Sequence, residues 1–99
     1  MENRTNYAEQ AALLKALAHP VRLQIMHVLL TEGCRNVRCI ESKTGVSQSC
    51  ISQHLQRLRT AHLVEAERVG NEVYYRASSS RTADLMADLM GEELHTYVL

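Results

Sequence analysis

Two groups of side chains in this 99-residue chain could do chemistry, and they overlap. The first is a run of short hydrogen-bonding residues, Ser47, Gln48, Ser49, Ser52, Gln53 and His54, inside "GVSQSCISQHLQRLR" at 45–59. Glutamine can bond N6 and N7 of adenine together, and serine pairs with several base edges or with a phosphate. Lys43, Arg57 and Arg59 stand around the run, where they could neutralise phosphates and add affinity without sequence choice. The second group is three thiols, Cys34, Cys39 and Cys50, the last of them inside the polar run. No His–Asp–Ser or Cys–His arrangement stands out, and there is no glycine-rich phosphate loop. His19, His27, His54, His62 and His95 are scattered without two-turn metal spacing. The reading is a non-enzyme with no catalytic residues, no cofactor and no metal site.

These residues need elements to position them. "NYAEQAALLKALA" (6–18) reads as a helix with Leu13, Leu14 and Leu17 on one stripe. Pro20 suits the first turn of a second helix, with Val21, Ile25, Val28 and Leu29 inward and Gly33 as its stop. A short helix over 36–44 turns Val37, Ile40 and Thr44 inward, and Gly45 makes the turn. Ser47 is a good N-cap, its hydroxyl accepting from the N–H of Ser49 or Cys50. That fourth helix runs to about Ala61 with Ile51, Leu55 and Leu58 as its core face. "LVEAERVGNEVYYRAS" alternates and reads as two strands about a Gly70-Asn71 turn. The last segment, 80–99, is a helix with Leu85, Met86, Leu89 and Met90 on one stripe.

A short helix, a glycine turn and a longer helix with a polar start form a helix-turn-helix pattern, whose second helix enters the major groove. The hairpin behind it can serve as a wing on the DNA backbone, with Arg68, Asn71 and Arg76 as candidate contacts. The alternative for the two arginines is cross-strand pairing with Glu67 and Glu72. The whole is mainly α with a small β-hairpin: a winged helix-turn-helix of order α-α-α-α-β-β-α. Residues 1–99 form a single domain in this reading, with 1–18 and 80–99 as dimerisation helices. The stripes Leu13, Leu14, Leu17 and Leu85, Met86, Leu89 exceed what one small core absorbs, which points to a homodimer matched to a palindromic site.

Formal net charge is zero, yet the charge is polarised. Residues 33–64 carry Arg35, Arg38, Lys43, Arg57 and Arg59 against Glu41 alone, while residues 65–99 are acid-rich. Local potential, not net charge, attracts a polyanion. The N-terminus is polar, no apolar run approaches the roughly 20 residues of a membrane span, and an odd number of cysteines suits reduced thiols. The expectation is a cytoplasmic protein with no membrane partner.

"LLKALAHPVRLQIMHVL" followed by "GVSQSCISQHLQRLRTAHLVEAERVGNEVYYRAS" resembles the ArsR/SmtB family of bacterial winged helix-turn-helix repressors over about residues 10–80. The resemblance implies a homodimer joined through the first and last helices, two recognition helices on an inverted-repeat operator, and blocked transcription. It maps the family's DNA-reading region onto Ser47, Gln48, Ser49, Ser52, Gln53 and His54. A winged-helix module that binds protein without reading DNA is the alternative. It predicts binding that depends little on salt.

The resemblance also implies release by a signal, and here the chain departs from familiar sites. "NVRC" stands where one family site has a "CVC"-type run, with Asn36 and Arg38 in the thiol positions. The last-helix metal site maps near Ser79, Arg81, Glu92 and His95, and arginine is not a ligand. Glu92 and His95 alone fall short of the three or more protein ligands zinc needs. What remains is Cys34, Cys39 and Cys50, read either as a thiol switch or soft-ion site, open to oxidation, persulfide or a metalloid, or as small space-fillers.

Overall fold

The computed structural model describes residues 6–33, 35–78 and 80–91. Its elements are α1 (Tyr7–Leu17), α2 (Pro20–Glu32), β1 (Arg35–Asn36), α3 (Val37–Thr44), α4 (Gln48–Thr60), β2 (Val64–Val69), β3 (Glu72–Ala77) and α5 (Ser80–Met90). The helix ends follow local chemistry. Asn6 caps α1 through the N–H of Glu9, and His19 caps α2 through Nδ1, with Pro20 in the first turn. Gly45, at φ +76°, closes α3 in the left-handed region, its N–H donating to the Glu41 carbonyl. Thr44 Oγ1 accepts from the Val46 N–H, so the turn into α4 is tied at both ends.

One core runs through the chain. Ile25, Met26 and Leu29 of α2 pack with Ile40 of α3 and with Ile51, Leu55 and Leu58 of α4. Ala83, Met86 and Ala87 of α5 and Leu63 and Val64 at the start of β2 complete it. The sheet covers the outer side, with β2 and β3 antiparallel in register Val64↔Ala77 to Val69↔Glu72. Gly70, at φ +64°, occupies the first central position of the hairpin, where a type II′ turn takes glycine. Asn71 does not share the positive φ.

The structure adds a strand to the expected sheet and divides the expected apolar stripes. The sheet has three strands, in order β1-β3-β2, because Arg35 and Asn36 pair with Tyr75 and Tyr74 before α3 begins. Of the stripes expected at a dimer interface, Leu17 and Met86 are buried in the protomer's own core, at 3% and 0% exposure. They take the inward phase of their helices. Leu14 at 55% and Leu89 at 61% take the outward phase, while Leu13 and Leu85 lie half-buried at the edge of the core. The part of the last helix beyond residue 91, with Glu92 and His95, lies outside the described residues, as do Cys34, Ser79 and the Arg81 side chain. Among the described residues no helix is long and apolar enough to cross a membrane.

Leu55 sits between α2 and the sheet-side core with 1% exposure. Leu55→Ala should cost ~2–5 kcal/mol, measured by urea denaturation. The equivalent change at exposed Leu14 should cost well under half as much in dilute protein.

Candidate nucleic-acid interface

The apolar stripe of α4 dictates where its polar residues point. With Ile51, Leu55 and Leu58 fully inward, Ser49, Gln53, Gln56 and Thr60 recur at i, i+4, i+7 and i+11 on the outward side, all exposed. Ser52 is exposed beside them. The side chains of Ser52, Gln53 and Gln56 make no hydrogen bond to the described residues, so their donors and acceptors face solvent. Ser47 caps the helix, its Oγ accepting from the Cys50 N–H at 3.4 Å. Of the two capping partners open in the sequence, Cys50 is the one used.

Some expected contacts are engaged within the chain. Gln48 Nε2 donates to Glu41 Oε1 at 2.9 Å. Lys43 lies 3.5 Å from Glu32, which also receives Arg35 at 2.8 Å. The Arg35 hydrogen bond first, then the Lys43 charge, hold the Glu32 carboxyl below the usual carboxylate range. Exposed Arg57, Arg59 and Arg38 have no acidic partner among the described residues.

The wing divides its two arginines. Arg76 donates through Nε and Nη2 to Glu65 on the facing strand, at 3.2 and 3.0 Å. Its partner is thus Glu65, not Glu67 or Glu72. Arg68 and Asn71 are exposed near the tip, and Arg68 has no ion pair among the described residues.

Two connections were invisible in the sequence. Asn36 uses both ends of its amide: Oδ1 accepts from the Cys39 N–H at 2.8 Å, capping α3, and Nδ2 donates to Glu72 at the turn end of the wing. One side chain therefore joins the helix-turn-helix to the hairpin. Second, the histidines scattered in sequence meet in space. The rings of His19 and His54 lie 4.3 Å apart, tilted by 47°. His54 is half-buried; that burial, then the nearby His19, Arg22 and Arg57, hold its imidazole below the ordinary histidine range.

Residues 19–66 match the family described as "Bacterial regulatory protein, arsR family". A biofilm growth-associated repressor from Xylella fastidiosa is 40% identical over 86 residues, spanning 87% of this chain and 73% of that protein. The chain belongs to the ArsR family. HlyU from Vibrio cholerae has a similar structure, with a TM-score of 0.80 and 36% identity over 88% of this chain and 94% of that one. A homodimeric winged helix-turn-helix DNA-binding domain from Mycobacterium bovis, of a possible ArsR-family regulator, gives 0.77 and 35% over 90% and 86%. As an ArsR-family chain, this protein is a DNA-binding transcriptional regulator and not an enzyme.

This ArsR-family protein has Cys39 half-buried in the first turn of α3 and Cys50 exposed in the first turn of α4, both as free thiols. Among the described residues no three His, Cys, Asp or Glu side chains gather as a metal site would require. Asn36→Ala removes the α3 cap and the wing tether together. It should cost ~1–2 kcal/mol of stability and weaken duplex binding more than Glu72→Gln, read by thermal unfolding and by fluorescence anisotropy.

Proposed function

We propose that this ArsR-family regulator acts as a cytoplasmic homodimeric repressor, reading an inverted-repeat operator through the outward stripe of α4. The observation that carries this is a row of exposed, unbonded groups at Ser52, Gln53 and Gln56, with exposed Ser49 held only by the Ser47 hydroxyl at 3.5 Å, on a helix whose other face is locked into the core. Hydrogen-bonding groups left free on a rigid element suit base edges. Arg57, Arg59 and Arg68 supply phosphate anchors on either side, and Asn71 at the wing tip reaches the adjoining backbone. Gln48 and Lys43 join them on release from Glu41 and Glu32. Ser47 acts through its cap, setting where α4 begins.

Leu14 and Leu89, exposed on α1 and α5, support an apolar dimer face at the two helices named from sequence, flanked by Leu13 and Leu85. The homodimeric domain among the similar structures supports the same assembly.

For the releasing signal, the placement of Cys39 supports thiol chemistry. Its N–H is held by the same Asn36 that tethers the wing, so a modified Cys39 would act on both. Peroxide or a persulfide donor should weaken duplex binding by wild type and not by Cys39→Ser. Equal affinity before and after treatment would leave the thiols as packing.

Selection of bound duplexes from a random pool tests the main reading. Two half-sites related by a dyad are expected, about one helical turn or a multiple apart. Gln53→Ala should relax preference at one base position at a cost of ~1–3 kcal/mol, whereas Arg59→Gln should weaken all duplexes alike and reduce the salt slope by about one. Leu14→Glu with Leu89→Glu should give a monomer in sedimentation. Affinity indifferent to salt would instead indicate a protein-binding module.

A further inference from the structure

The stripe of α4 next to the base-facing one carries Cys50, His54, Arg57 and Ala61, again at i, i+4, i+7 and i+11. It faces the start of α2. There His54 meets His19, and Arg22 and Arg57 act on the same imidazole. Beside this group an open cleft of about 710 Å³ lies between α1, α2 and α4, lined by Lys15, Arg22 and Arg57 with Gln56 and Thr60 over alanines, and no acidic side chain among the described residues lines it. Arg22 Nε is buried with no acceptor among the described residues. Five basic side chains from α1, α2 with its cap, and α4 thus converge, with no acidic partner among the described residues.

Such crowding is costly in the free protein, and an anion would relieve it. When the outward stripe of α4 occupies a major groove, the stripe beside it meets the groove wall, which is the phosphate backbone. We propose that His19 and Arg22 at the start of α2, with His54 and Arg57 of α4, clamp one backbone phosphate of the operator and take up a proton from solvent as they do so. The inference rests on the DNA reading above and extends it: the recognition helix is held by phosphate from the α2 side, and that contact is linked to pH.

The hydrogen bonds suit this role. Nδ1 of His19 accepts from the Val21 N–H at 3.1 Å, so the His19 proton sits on Nε2, leaving a donor for the phosphate. His54 is the group that gains the proton. In the free protein burial, then the neighbouring His19, Arg22 and Arg57, disfavour its charged form. A phosphate at the cluster reverses the sign of that environment.

Linkage gives two opposed pH effects. In the free protein the His54 value is lowered from 6.5, so its contribution to stability is fully present above pH 6.5 and is lost as pH falls below it. In the complex the value is restored upward, so binding takes up a proton and affinity rises as pH falls. The test is affinity for the selected duplex from pH 8 to 5.5 at fixed salt, with calorimetry in buffers of different ionisation enthalpy to count protons. Wild type should tighten by up to about tenfold per pH unit, the limit for one linked proton, with net proton uptake. His54→Gln should bind more weakly with a flat pH profile. His19→Asn, which keeps a cap acceptor, should reduce the slope, and thermal unfolding checks that both variants fold. A flat wild-type profile with a normal salt slope overturns the clamp and leaves the DNA reading intact. So does a pH slope undiminished in both variants. Absence of any salt-dependent duplex binding overturns the DNA reading itself.

Discussion

The structure depends on the burial of one face of α4. Ile51, Leu55 and Leu58 are within 1% of complete burial, against α2 and α3 on one side and the sheet on the other. A helix fixed this way cannot roll, because rolling would expose two leucines and an isoleucine at ~1.5–3 kcal/mol each. The opposite stripe, Ser49, Gln53, Gln56 and Thr60, is therefore aimed by the core rather than by its own contacts. Thr60 donates to the Gln56 carbonyl and Ser49 meets the Ser47 hydroxyl, while the Gln53 and Gln56 amides make no hydrogen bond to the described residues and are left for a partner. Ser47 and Gly45 fix the start of the helix, so the stripe is set in register as well as in rotation.

Around that helix the charges are sorted by whether they are already answered. Glu32 holds Lys43 and Arg35, Glu65 holds Arg76, and Glu41 holds Gln48. These exposed pairs contribute little to stability. Their effect is to hold back some of the basic residues while Arg38, Arg57, Arg59 and Arg68 stay free. The zero net charge of the chain thus conceals an arranged surface. On the flank of α4 that faces α2, the groups acting on His54 are His19, Arg22 and Arg57, with no carboxylate among them.

What the sequence discloses is what repeats or caps locally. The α4 stripe, the Ser47 cap, the Gly45 turn and the Gly70-Asn71 hairpin all follow from short-range rules, and each is present. β1 escapes those rules because two residues cannot display an alternation; they become a strand only when β3 arrives alongside. The apolar stripes of α1 and α5 divide between core and surface for a related reason. On α1, Leu13, Leu14 and Leu17 span a wide arc, and nothing local says which edge the protomer keeps. The answer, Leu17 inward and Leu14 outward, is set by where α2 and α4 lie. Membership in the ArsR family was legible because its motifs join pieces from several elements, which no single stripe does.

The contacts that sequence could not supply are the ones that couple elements. Asn36 and Glu72 are 36 positions apart, and His19 and His54 meet from different helices. Both contacts place a polar side chain where a hydrophobic one would pack at least as well. Both also connect the helix-turn-helix to another element: the wing in one case, the start of α2 in the other. A purely structural role would favour apolar packing or a complete ion pair, because half-buried polar groups cost desolvation. Asn36 recovers that cost with two hydrogen bonds. The His19–His54 pair recovers little of it in the free protein, where the charged groups acting on His54 are Arg22 and Arg57. The cost is offset only when an anion arrives, which makes the pair more intelligible as part of a bound state than of the free one.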